Sequence, residues 1–107
     1  MNDNGIIILI ESCSDGTIRI FNFHSALPLN TIKINNSRLY GMCLWNNNYL
    51  FVGCQDKEMK LVKIIEGLAV KSFRHEWEVL TIKKIISKDG QYLISQCLNE
   101  IKFWNIK

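Results

Sequence analysis

One pattern is written three times along this chain, and that repetition constrains the fold more than any other feature. The run from Ile8 to Phe21 aligns without a gap on the run from Tyr49 to Val62. Cys13 falls on Cys54, Asp15 on Asp56, Arg19 on Lys60 and Phe21 on Val62, each 41 residues apart. A third copy runs from Tyr92 to Trp104, with Cys97 lying 43 residues beyond Cys54 and Trp104 42 beyond Val62, so its turn is one residue shorter. Flanking segments repeat as well: Leu39–Leu44 matches Val79–Lys84 at a spacing of 40, and Leu27 to Ile32 matches Leu68 to Phe73 at 41. A unit recurring at such a period is one supersecondary element that cannot bury its apolar faces alone and must stack on its neighbours.

Within each copy the apolar runs are short, four to seven residues, and are broken by Ser14-Asp15-Gly16, Asn46-Asn47-Asn48, Gln55-Asp56-Lys57, Glu66-Gly67, Lys88-Asp89-Gly90 and Leu98-Asn99-Glu100. Runs of that length, rich in Ile and Val and bounded by turn formers, predict many short strands. No longer stretch holds the i, i+3, i+4, i+7 spacing of an amphipathic helix. Ten strands are expected, over 6–13, 18–23, 27–34, 39–45, 49–54, 59–64, 68–73, 79–86, 91–97 and 101–106. The connections are so short that consecutive strands should pair antiparallel.

A period of about 40–45 residues with four strands per copy is the mark of a propeller blade. The residues carry a more specific likeness. Ser14-Asp15-Gly16-Thr17-Ile18-Arg19-Ile20-Phe21-Asn22, Ile101-Lys102-Phe103-Trp104-Asn105 and His75-Glu76-Trp77-Glu78-Val79-Leu80-Thr81-Ile82 resemble the recurrent motifs of WD repeats. Arg74 stands where that family usually has Gly. The resemblance implies an all-β, incomplete β-propeller of antiparallel four-stranded blades. Its parts would be a partial blade over 1–38, a full blade over 39–78 and, over 79–107, a blade lacking its outer strand. It further implies a hydrogen-bonded tetrad of a loop His, a strand Ser, a turn acid and a strand Trp. Only the third copy approaches it, through His75, Ser95, Asn99 and Trp104, with Asn in place of Asp. The middle copy has Asn35, Val52, Asp56 and Val62, so no such network is expected there.

Other chemistry finds little support. His24, His75 and four cysteines lack zinc-ligand spacing, and no metal or cofactor is expected. Cys13, Cys54 and Cys97 share one register position, which suits a small buried side chain better than a nucleophile. Asp15 and Asp56 occupy the same place in two turns, so turn formation accounts for them better than paired acid–base chemistry. The net charge of +3 comes from dispersed lysines, not a nucleic-acid patch, and the longest apolar run, Ile6–Ile10, is too short for a membrane helix. Neither catalysis nor a small-molecule substrate is expected, and reduced thiols suggest the cytoplasm. Arg38, Tyr40, Arg74 and Trp77 are of types enriched at binding hot spots and sit in the two loops that would open on one face of a propeller. The implied function is a scaffold for protein or peptide partners. A truncated, non-functional fragment or an accessory domain of a larger enzyme is the alternative. Both flanks of the stack should be open, through truncation or for completion by another chain, and the isolated chain is expected to self-associate or aggregate.

Overall fold

The computed structural model describes residues 2–3, 6–46 and 48–105, with the side chains of residues 2, 3, 6 and 7 left aside. The structure is all-β. Its strands are β1 (Asn2–Asp3), β2 (Ile6–Ser12), β3 (Thr17–Asn22), β4 (Pro28–Lys33), β5 (Leu39–Leu44), β6 (Tyr49–Cys54), β7 (Glu58–Lys63), β8 (Leu68–Arg74), β9 (Thr81–Ser87), β10 (Gly90–Gln96) and β11 (Ile101–Asn105). They form three separate antiparallel sheets, ordered β1-β2-β3-β4, β5-β6-β7-β8 and β9-β10-β11. The ten expected strands are all present within about two residues of their expected limits. Asn47 of the Asn46–Asn48 turn and residue 106 of the last expected strand lie outside the described residues.

One expectation for the first sheet is corrected. Residues 1–38 were expected to supply three strands, yet β1 adds a fourth beside β2, pairing Asn2 with Ile7 and Asp3 with Ile6. Two polar residues carry no period-2 signal, so nothing in the sequence pattern marks this short strand.

The turns obey the repeat down to their backbone angles. Gly16 has φ +85° and Lys57, 41 residues later, has φ +71°. Ala26 has φ +60° and its counterpart Gly67 has φ +72°. In the first turn Thr17 N–H donates to Asp15 Oδ1 at 3.1 Å, and in the second Glu58 N–H donates to Asp56 Oδ1 at 3.2 Å. Gly16 is further constrained because a Cβ there would run into the Asn35 carbonyl and lie 2.7 Å from that of Ser37. The third copy closes one residue tighter, with Cys97 N–H bonded to Glu100 O at 2.8 Å.

Stacking follows from strand alternation. In β6, Leu50, Val52 and Cys54 join Ile18, Ile20 and Ile32 in a core between the first and second sheets. Phe51, between them, joins Met59, Val79, Ile82, Leu93 and Cys97 in a core between the second and third. The apolar run Leu50–Cys54 is thus buried on both faces. An aromatic line, Trp45–Phe51–Phe73–Trp104, runs along the second core with ring centroids 5.8, 6.0 and 5.0 Å apart. The backbones also touch: Gly41 N–H donates to Leu80 O at 3.0 Å, and a Cβ on Gly41 would lie 2.7 Å from that same oxygen.

The register cysteines do not share one environment, which corrects the expectation that Cys13, Cys54 and Cys97 are equally buried. Cys54 and Cys97 are sealed, whereas Cys13 is half-buried. Cys54 faces the first sheet and Cys97 the second; the matching face of the first sheet has no sheet upon it among the described residues. Burial pushes the Cys54 thiol up to about 12 and raises Cys97 as well.

Two expectations follow. Lys57→Gly and Ala26→Gly should each stabilise the fold by up to about 1 kcal/mol by relieving a left-handed backbone, and Gly16→Ala should cost about 2 kcal/mol or more; urea midpoints measure both. A thiol reagent at mildly alkaline pH should label Cys13 promptly in the native state, but Cys54 and Cys97 only on unfolding.

Candidate functional site

The loops before β5 and β9 and the turns β2–β3, β6–β7 and β10–β11 gather at one end of the stack. Backbone bonds tie them together: Ile34 N to Gly16 O at 2.8 Å, Leu39 N to Cys13 O at 3.3 Å, Gln55 N to Arg38 O at 2.9 Å, Val79 N to Cys54 O at 3.2 Å and Leu80 N to Gln96 O at 2.9 Å. This end is therefore a braced surface, whereas the hairpin turns at the opposite end show fewer such ties among the described residues.

Three of the four residues expected to form a tetrad meet there. His75 Nε2 lies 2.6 Å from Ser95 Oγ, and Trp104 Nε1–H donates to the same oxygen at 2.9 Å. His75 Nδ1 lies 3.0 Å from the Phe73 carbonyl, which only accepts, so Nδ1 carries the proton. In the neutral ring Nε2 then accepts from Ser95 Oγ–H. Ser95 accepts from Trp104 and donates to His75, and this buried serine is satisfied both ways. Burial holds the His75 imidazolium below its usual range, with the Phe73 carbonyl opposing in part.

Asn99 is not part of this group. It is exposed on the shortened turn, and among the described residues its side chain makes no hydrogen bond. Deleting one turn residue moves the chain so that Glu100 points inward in its place. Glu100 Oε1 is buried with no hydrogen-bond partner among the described residues, and Oε2 lies 3.9 Å from Lys102 Nζ. Its charge favours protonation of His75.

The middle copy has no such tetrad, but a polar network of different composition stands there. Asn35 Nδ2 donates to Asp56 Oδ2 at 3.1 Å. Asp56 lies 3.6 Å from the buried Lys60 Nζ, which also meets Glu58 at 2.5 Å and donates to Ser72 Oγ at 3.4 Å. Contact with Lys60 holds the Glu58 carboxyl below its usual value. With valine at the two positions that hold Ser95 and Trp104 in the third copy, this copy ties loop to turn through amide, acid and ammonium instead.

Of the four expected contact residues, Trp77 lines a pocket and Tyr40 reaches that pocket only through Glu78. Tyr40 O–H donates to Glu78 Oε1 at 2.9 Å, which raises the phenol pKa. Trp77, 45% exposed, lines a cavity of about 430 Å³ with Lys57, Glu78, Leu80 and Leu98. Arg38 and Arg74 are exposed outside its lining. Arg38 pairs its backbone with Gln55, and Arg74 reaches toward Glu58 at 3.9 Å on the edge strand. Sequence reasoning missed Lys57, Glu78, Leu80 and Leu98. Leu98 offered a signal: an apolar residue, 73% exposed, at the tip of a turn where the earlier copies place polar residues. Among the described residues no group of three or more His, Cys, Asp or Glu side chains could hold a metal.

The lowered His75 pKa makes a pH-dependent prediction. A base whose folded pKa lies below its unfolded value of about 6.5 binds more protons unfolded, so the stability it contributes is complete above that pH and declines as pH falls through it. The melting temperature should fall from about pH 7.5 to about 5, and His75→Gln should flatten that slope. The separate loss from Glu58, whose folded pKa is lowered, should remain and begin below its unfolded value of about 4.3.

No protein-family model and no curated protein matches the chain. Among solved structures, the computationally designed Ika4 protein is similar at a TM-score of 0.76 and 19% identity, over 100% of this chain and 63% of that one. The computationally designed Ika8 protein is similar at a TM-score of 0.74 and 19% identity, over 99% of this chain and 31% of that one. The chain thus spans less than two thirds of either. At this identity the likeness is one of fold: an all-β chain of stacked antiparallel sheets.

Proposed function

We propose that this chain is a WD-repeat segment of an incomplete β-propeller and serves as a non-catalytic scaffold that binds a protein or peptide at its braced loop end. The observation that carries the reading is the cavity of about 430 Å³ walled by Trp77, Leu80 and Leu98, with Lys57 and Glu78 supplying one charge of each sign. An apolar pocket with a few fixed polar groups is the form of a recognition site, and an exposed Trp is an effective anchor. Tyr40 holds Glu78 from the neighbouring sheet's edge strand, so the wall spans two sheets and is ordered before a partner arrives. The tetrad-like group and the Asn35–Asp56–Lys60 network lie behind this end, and their role is to keep loops and turns in register. The reading includes a reducing compartment, the cytoplasm, which four cysteines outside any disulfide support.

Selection of a random peptide library on the folded chain tests the proposal. Enriched peptides should carry a large apolar residue, and Trp77→Ala or Leu98→Asp should weaken them by about tenfold or more. Ile65→Ser, in the β7–β8 turn at the far end, should change nothing. Failure to enrich any sequence over the blank support, or binding indifferent to Trp77, would overturn it.

A further inference from the structure

The two sheet-to-sheet contacts inside the chain are built from equivalent positions. Toward the sheet that follows, the first sheet presents Ile10, Ile18 and Ile20, and the second presents Phe51, Met59 and Leu61, each 41 residues on. Toward the sheet that precedes, the second sheet presents Leu50, Cys54 and Val62, and the third presents Leu93, Cys97 and Trp104. Forward positions meet backward positions twice over. Each set has one member left unmet in the chain. On the first sheet the backward positions are Leu9, 52% exposed, with half-buried Cys13 and Phe21. On the third sheet the forward positions are half-buried Ile94 with Ile101, 65% exposed, and Phe103, 72% exposed.

We propose that the third sheet of one copy docks on the first sheet of a second copy, head to tail. Ile94, Ile101 and Phe103 then meet Leu9, Cys13 and Phe21 as Phe51, Met59 and Leu61 meet Leu93, Cys97 and Trp104. The occupant is argued from the chain itself, because the face that would arrive is the register equivalent of the face already received twice. Contiguous exposed apolar side chains of this kind mark an interaction surface. The receiving face also carries the exposed Arg19–Glu11 pair, Nε and Oε1 3.0 Å apart, and docking must meet the cost of desolvating it, which the pairing lowers but does not remove. The contact is heterologous: two different faces of one chain meet, so copies add in one direction and either close a ring or continue. The inference does not depend on what the loop end binds.

The test is light scattering of the full 107-residue chain across the micromolar range, with circular dichroism to confirm folding. The wild type should give a mass at least twice the 12.5 kDa of one chain. Phe103→Asp, which spoils the forward face, and Leu9→Asp, which spoils the backward face, should each be a folded monomer. Mixed in equal amounts, they should form a one-to-one dimer, since each retains the face that the other lacks. If either aspartate variant fails to fold, Ser at the same exposed position replaces it. A monomeric wild type at every concentration, with those faces then belonging to a different chain, would overturn the proposal. So would variants that assemble like the wild type, or a mixture that stays monomeric.

Discussion

A strand that is apolar on both faces is tenable only where each face is covered, and β6 sets that condition for the whole molecule. Leu50, Val52 and Cys54 turn one way and Phe51 the other, and all are sealed. Neither apolar face can be left in water, so the second sheet needs both the first and the third. Stability in such a stack is approximately a sum of unit terms and neighbour interfaces. At roughly 25 cal/mol per Å² of apolar surface, the two interfaces supply the main favourable term. Backbone contact at Gly41 brings the edge strands β5 and β9 together, which aligns those interfaces as well as covering them.

Polar groups have the complementary task of fixing one end. Hairpin strands alone would leave the loops before β5 and β9 free to move, but each is bonded to a turn of its own or the neighbouring sheet. Ser95, buried and bonded to both His75 and Trp104, ties the loop before β9 to β10 and β11. Asn35 and Asp56 do the same for the preceding loop with different chemistry. The two solutions differ in their sensitivity to acid, because one depends on a neutral imidazole and the other includes the Glu58 carboxylate, which contact with Lys60 holds below its usual value. Binding chemistry is then carried by side chains projecting from a stiff base, with Trp77 and Leu98 as the large apolar members.

Sequence alone determined ten of the eleven described strands, their order and their antiparallel pairing, because a period of two, short turns and a 41-residue repeat are local properties that the backbone must obey; the two-residue β1 carries no such pattern. It also located His75, Ser95 and Trp104, since the repeat register assigns them to a loop and to the second and third strands after it, β10 and β11. Only the tertiary structure decided what each position meets. Cys13 shares its register with Cys54 and Cys97 but not their burial, because burial depends on whether another sheet lies over that face. Asn99 was displaced by Glu100 because removing one turn residue redirects the side chains that follow. Lys57, Glu78, Leu80 and Leu98 converge from a turn, a loop and a second turn, and nothing in their sequence separation encodes that meeting. Strand formation depends on neighbours along the chain, whereas a site depends on neighbours across sheets, and those are set by stacking.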